Sequence, residues 1–332
     1  MNDNKTSKNS IVAKFAVPIS FLILFFLAAN FTDCDLVTFW KRRSHLTDLV
    51  VDMIPPDFSY IQKILLPLFY TIQMSVTGTV LGIFFALVLS PFGAANLGFP
   101  AVIRRILRIV IQILRSFPAL ILALTATFLF GLGTFAGTFA ITLYTFAIMT
   151  KLTYEDASAA DVKAYQALRA MGVSKYVAYI HGILPEIIPG FLTNALYLLE
   201  TNVRHSSILG YVGAGGIGLL LNEKISWLEY DKVGTILLML FLTVCVIEYF
   251  SRYLAALIRK ERTIKKEQAR LLLLFLAALF LICTFTLSLP DFSRTSPQTL
   301  RNMFAGFLQP DWSFFFSAEK DGLGYLLLET VC

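Results

Sequence analysis

Histidine and cysteine are scarce, with three and four residues respectively in a chain of 332. His45, His181 and His205 share no metal-ligand spacing. Cys34, Cys245, Cys283 and Cys332 are too scattered for a disulfide framework or a metal site. Charge is scarce too, at 15% Asp, Glu, Lys and Arg combined. No G-x-x-x-x-G-K-[ST] phosphate loop occurs, so any ATP hydrolysis belongs to another subunit. "GAGGIG" at 213–218 joins apolar runs and lacks the strand-to-helix setting of a dinucleotide loop. No convergent nucleophile, base or metal cluster is visible, which makes a membrane enzyme the weakest class and implies no cofactor.

Apolar surface is abundant. Hydrophobic residues make up 57% of the chain and 30 are Phe, more than a soluble domain of this length can bury. Uncharged runs cover 15–32, 64–103, 116–150, 206–222 and 271–290. Each is close to or above the roughly 20 residues that cross a hydrocarbon core of about 30 Å as a helix. The chain therefore reads as an all-α, polytopic membrane bundle. Helices are expected over about 15–32, 65–89, 106–130, 134–150, 188–209, 233–257 and 271–290, seven crossings in all. Breaks are marked by "SPFGAANLGFP" at 90–100, "GLG" at 131–133, and Pro185 with Pro189. The first run follows Lys5, Lys8 and Lys14 and could be a cleaved signal; an uncleaved first helix fits better.

The formal charge of +6 sits in alternate loops rather than on one amphipathic face, which argues against nucleic-acid binding. Arg104, Arg105 and Arg108 occupy one loop, Lys151, Lys163, Arg169 and Lys175 the next alternate one, and seven basic residues between Arg252 and Arg270 a third. With a cytoplasmic N-terminus all three lie inside, as the positive-inside rule prefers. The mixed-charge segment 33–64 is then external.

Two stretches carry the most information. "AYQALRAMGVSKYVAYIHGILPEIIPGF" at 164–191 is a polar, basic insert between apolar runs, and "LLETNVRHSSILGYVGAGGIGLLL" follows at 198–221. The first resembles the loop by which permease subunits of ABC importers engage their ATPase. The second resembles the N-x-R-x-S-x-x-L-G-x-V-G-A-G-G-I-G run of phosphonate-type permeases. The resemblance covers about 60–260 and implies a type I ABC importer permease fold and import of phosphonates or related small phosphorus oxyanions. It also implies an ABC ATPase, an extracellular or periplasmic binding protein and a second permease unit as partners, in a bacterial inner membrane. In the resembling loop Gln166, Ala167, Gly172, Leu184 and Pro185 occupy the coupling positions, within a segment of about 151–187. Gln166 stands where the family usually has Glu, and Leu168 where a second Ala is common.

Glu200, Asn202, Arg204, Ser206, Gly213, Gly215, Gly216 and Gly218 are the pathway or gate candidates. Glu200 and Arg204 share a helix face by their four-residue spacing and fall deep in an apolar segment, where charge is costly unless paired or hydrated. Arg204 either meets an anionic substrate or pairs with Glu200 to hold helices together. Glu248 and Arg252 repeat the spacing near a cytoplasmic helix end and read as a structural pair, while Arg115 either snorkels or faces the pathway. The rival functions are an importer permease for an amino acid or vitamin, and an ATP-independent secondary transporter or channel.

Three regions are expected: 1–62, an N-terminal helix and external segment; 63–260, the permease core; and 261–332, the start of a second, truncated permease repeat. "PDFS" at 56–59 recurs as "PDWS" at 310–313, and "LFYTIQMSV" at 68–76 is echoed by "LGYLLLETV" at 323–331. The other reading of the last region is an extra helix with an external tail.

Overall fold

The computed structural model describes residues 16, 18–29, 31–32, 36–259, 266–287, 301, 305–306 and 323–331. All regular elements among them are helical. The chain divides into two units, residues 1–51 with 300–332, and residues 52–299. In the first, the apolar helix Pro18–Ala29 exposes Phe21, Leu24 and Leu27. The helix Leu323–Val331 includes the echo of 68–76, whereas the "PDWS" segment lies outside the described residues, as do Cys34 and Cys332.

The second unit holds the bundle. Its helices are α1 (Ile61–Gly93), α2 (Ala101–Ser116), α3 (Ala119–Phe130), α4 (Thr134–Ala159), α5 (Lys163–Ala170), α6 (Lys175–Gly182), α7 (Leu184–Leu209), α8 (Ile217–Ser226), α9 (Tyr230–Ile258) and α10 (Lys266–Phe285). Three spans, Phe58–Gly93, Thr134–Ala159 and Tyr230–Ile258, are long and apolar enough to cross a membrane.

The expected straight crossing at 106–130 is corrected: α2 and α3 meet at 94°. Pro118 has no N–H and pushes the residue before it out of the helical region, and Phe117 accordingly adopts φ −85°, ψ 124°. Arg104, Arg105 and Arg108 therefore sit on helix α2, not in a loop, alongside exposed Val102, Ile106 and Ile109. A second bend, of 70°, separates α6 from α7 at Ile183. Pro189, expected as a break, lies inside α7, while Pro185 occupies its first turn, where a missing N–H costs nothing. The expected seven crossings thus resolve, among the described residues, into three long spans, two bent pairs and two shorter apolar helices, Pro18–Ala29 and Leu274–Phe285.

The most extensive helix pair is α1 with α4. Gly78 and Gly82, one turn apart on α1, make it possible. A Cβ on Gly78 would lie 2.7 Å from Ile141 Cγ2, and one on Gly82 2.7 Å from Thr145 Cβ. Small residues at four-residue spacing let the two backbones approach, the usual device where lipid gives no hydrophobic drive between helices. Several of the Ser and Thr residues in these apolar helices bond locally, although the buried hydroxyls of Thr77 and Thr150 have no partner. Ser75, Thr79, Thr138 and Thr153 each donate to the carbonyl four residues back. At Pro91 the ring removes the donor to Leu87 O, and the Ser90 hydroxyl donates to that carbonyl instead, at 3.3 Å.

Candidate functional site

The insert at 164–191 forms a two-helix hairpin. Asp161 opens it: its carboxylate accepts from the Lys163 N–H at 3.0 Å, and that bond, with the one from the Lys163 side chain, holds its carboxyl below the usual range. α5 then runs to Ala170, and Gly172 reverses the chain at φ +85°, a left-handed conformation that costs an L side chain about 1–2 kcal/mol. The Ser174 side chain accepts from the Val177 N–H and caps α6.

One face of the hairpin is buried. Tyr165, Ala178, Tyr179 and Ile183 pack with Ala94 and Leu97, from the chain between α1 and α2, and with Tyr154 and Ala157 of α4. Polar bonds fasten the same contact. Tyr165 Oη donates to Leu97 O at 2.6 Å and Asn96 Nδ2 to Ala157 O at 3.0 Å, while Lys175 Nζ donates to Gly98 O. The other face, with Gln166, Ala167, Ala170, Met171 and Gly172, is exposed, Met171 at 71%. Of the five residues singled out here, Gln166, Ala167 and Gly172 lie together on this open face. Leu184 packs against the buried cluster, and Pro185 is exposed at the start of α7.

The second motif contains residues in three different environments. Asn202 and Ser206 are fully buried and join α7 to α1 and α4. Asn202 Nδ2 donates to Thr79 Oγ1 and to Thr145 Oγ1, both at 2.8 Å. The Ser206 hydroxyl lies 2.9 Å from that of Ser75. Sequence reading missed Thr71, Ser75, Thr79 and Thr145, the partners in this cluster. The four-residue spacing of the first three in an uncharged run was the available signal.

Arg204 sits on the opposite face of α7, 51% exposed, and pairs with Glu200, which is 13% exposed. The pair is internal to one helix and does not by itself tie two helices together. Tyr197, Ile208 and Tyr211 are exposed in line with Arg204, at the spacing of a single helical stripe. Glu248 and Arg252 form a similar pair within α9. Arg115 is exposed at the end of α2, and His205 packs edge-on against Tyr144 at 5.2 Å.

Residues 210–218 form a folded loop that returns the chain toward α1. Gly213, Gly215 and Gly216 have φ of +91°, +80° and +73°. A Cβ on Gly218 would overlap Ser207 O. The loop's polar groups are bonded inside the bundle: Gly133 N–H donates to Gly213 O at 3.1 Å, and Ile217 N–H to Thr71 Oγ1 at 2.8 Å. Such backbone survives at membrane depth only when protein or water satisfies it.

At the far ends of α1 and α9, Lys224 is buried and pairs with Glu223 at 3.0 Å and with Glu229 at 2.9 Å. Hydrogen bonds from Lys232 and then Lys224 hold the Glu229 carboxyl below its usual range. Tyr60 lies beneath Lys63, Lys224 and Lys232 at 5.5–5.7 Å. This cluster also went unread in the sequence, because its members are spread over 170 positions.

The described residues thus form a helix bundle with three spans long and apolar enough to cross a membrane and a fastened two-helix hairpin at one end. A family profile described as "Binding-protein-dependent transport system inner membrane component" matches residues 78–263. The chain belongs to that family. The phosphite transport system permease protein PtxC of Stutzerimonas stutzeri is 31% identical over 217 residues, 65% of this chain and 79% of that protein. The phosphate-import permease protein PhnE of Mycolicibacterium smegmatis is 32% identical over 203 residues, 61% of this chain and 38% of that one. An inward-facing structure of the MetNI methionine ABC transporter covers 61% of this chain and 99% of its own, with a TM-score of 0.53 and 20% identity, a likeness of fold.

Proposed function

We propose that this chain is the permease subunit of an ABC importer that moves phosphonates, phosphite or a related small phosphorus oxyanion. Family membership supplies the transport role, and the names of the relatives, phosphite and phosphate permeases, supply the substrate class. The observation that carries the mechanism is the hairpin α5–α6. Its inner face is bonded to the ends of α1 and α4 while Gln166, Ala167, Met171 and Gly172 stay open. A separate ATPase seats on that face, and its movement passes through Tyr165 and Tyr179 into the bundle. Gln166 offers hydrogen bonds without a charge, so an ion pair to the ATPase through this position is not part of the mechanism.

The second permease unit packs along the exposed stripe of α7. Charge at membrane depth needs a polar neighbour or water, and Arg204 points out of the bundle beside Tyr197 and Ile208. A partner copy placed there encloses a pathway in which Arg204 presents a guanidinium fork to the oxyanion. The buried cluster of Asn202, Ser206, Thr79 and Thr145 holds α7 in position, and the loop 213–218 supplies the bend beside the pathway. With the hairpin inside the cell, the Lys224–Glu229 cluster faces outward, where a binding protein delivers substrate, and the N-terminus is cytoplasmic.

The test is uptake of labelled 2-aminoethylphosphonate, with phosphite and methionine as competitors. The host is a transporter-deficient strain expressing this chain with its ATPase and binding protein but no other permease. ATP-dependent uptake blocked by phosphite and not by methionine is the expected result, and uptake that also reports a homodimer. Uptake blocked by methionine selects the amino-acid importer, and uptake independent of ATP a secondary transporter.

A further inference from the structure

Between α1, α7, α9 and α10 lies a cavity of about 760 Å³. Its lining is almost entirely aliphatic and aromatic, with Val76, Leu196, Leu254 and Leu279 representing the four helices, and Thr79 and Ser251 its only hydroxyls. The Thr79 hydroxyl is already engaged, donating to Ser75 O and accepting from Asn202. Among the described residues no charged side chain lines the cavity, which does not suit a small oxyanion. α10 forms its outer wall and is fixed to α1 by Gln73, a fully buried amide whose Nε2 donates to Cys283 O at 3.0 Å and to Thr286 Oγ1 at 2.8 Å.

The dimensions and the charge at one end indicate an occupant. Along α7 the lining runs from Leu192 to Val203, and along α9 from Ile247 to Ile258. Eleven residue steps at 1.5 Å make each wall about 16 Å long, close to half of a hydrocarbon core of about 30 Å. A groove of that length at membrane depth matches a single acyl chain of one leaflet. The lining ends on α9 at Ile258, and the next residue, Arg259, is exposed. Arg270, also exposed, lies on α10 about 9 Å before the lining begins at Leu276. Among the described residues Glu186, Glu267 and Asp161, whose N–H donates to Glu186, are exposed acids toward this end. The sequence from Arg259 to Arg270 nevertheless holds six basic and two acidic residues, 6 − 2 = +4. Basic clusters directly beside a membrane helix on the cytoplasmic side favour anionic lipid.

We propose that this groove is a binding site for an anionic glycerophospholipid, one acyl chain lying between α7 and α9 and the phosphate at Arg259 and Arg270. The test uses the full-length chain with its ATPase, reconstituted in vesicles doped with phosphatidylglycerol or phosphatidylcholine carrying a diazirine on one acyl chain. Expected after illumination is labelling concentrated on peptides containing 247–258 and 276–280, at least threefold stronger with phosphatidylglycerol. Ala195→Trp, which fills the groove, lowers it several-fold; Leu279→Phe lowers it by a smaller factor and is the gentler variant should the first fail to fold. Arg259→Gln with Arg270→Gln removes the headgroup preference and leaves the acyl labelling in place. Labelling as strong on the outward-facing Phe241, Leu242 and Val246 as on the 247–258 and 276–280 peptides overturns the proposal. So does labelling unchanged in the filled variants, or a Leu254→Cys disulfide between two copies, which would make the groove a protein interface. Uptake activity enters none of these readouts, so the site stands or falls apart from the transport assignment.

Discussion

Asn202 on α7 donates through one amide nitrogen to the hydroxyls of both Thr79 and Thr145, so a single side chain ties three helices at one level of the bundle. Asn202→Leu removes both bonds and leaves two buried hydroxyls with fewer partners. Interhelical bonds in membranes contribute about 0.6–2 kcal/mol each, and the variant is expected to lose about 1–3 kcal/mol. Denaturation by increasing SDS in mixed micelles measures it, and a loss below the lower figure would show the cluster to be incidental.

At Gly172 the requirement is conformational rather than steric. No heavy atom lies within 4 Å of a Cβ built there, while φ is +85°. Ala is therefore expected to disturb the hairpin most, and Asn and Asp, which tolerate the left-handed region, less. Co-purification of the ATPase should follow the same order with membrane insertion unchanged. Equal binding by all four proteins would rule out a docking role for this turn.

Gly218 presents the opposite case. Its missing Cβ makes room for the Ser207 carbonyl, so Gly218→Ala must displace backbone. A cost of about 1–3 kcal/mol follows from overpacking, together with reduced uptake, whereas Gly190→Ala, inside α7 with nothing within 4 Å, should leave uptake unchanged and stability equal or slightly raised.

The cluster around Glu229 gives a pH dependence. Glu229 titrates below its usual value of 4.5 because Lys232 and Lys224 hydrogen-bond its carboxylate. A lowered carboxylate contributes stability that is fully present above that usual value and is lost as pH falls through the native one. Thermal stability should therefore hold from neutral pH to about 4.5 and decline below it. In Glu229→Gln the decline should be shallower, measured by scanning fluorimetry from pH 7 to 3.

Arg204→Lys keeps the positive charge and removes the fork. If Arg204 contacts the oxyanion, uptake is expected to fall tenfold or more while stability changes little, since lysine keeps the charge that pairs with Glu200 within the same helix. Uptake within twofold of the parent would confine Arg204 to its pairing with Glu200.

The helical membrane class and most helix positions were legible because an uncharged run long enough to cross a membrane has few other solutions. The hairpin was legible too, its polar residues and Gly172 standing out against apolar flanks. What escaped depended on contacts between distant segments. Phe117 looks like any apolar residue, yet Pro118 turns the chain by 94° there. Asn202 and Arg204 sit two positions apart in one motif and face opposite ways, one into the bundle and one out. Thr79 and Thr145 became visible as partners only once α1 and α4 were seen to touch. Gln73 marked no site in the sequence, and its role depends on α10, more than 200 residues later.

The two glycines on α1 also set limits on motion. Gly78 sits beneath Ile141 and Gly82 beneath Thr145, with the same four-residue step on both helices. Sliding one helix along the other by anything short of a full turn would bring a side chain against backbone. α1 and α4 are therefore expected to move as one unit, so that any bending of the bundle falls on non-helical residues elsewhere, such as 117–118 and 131–133.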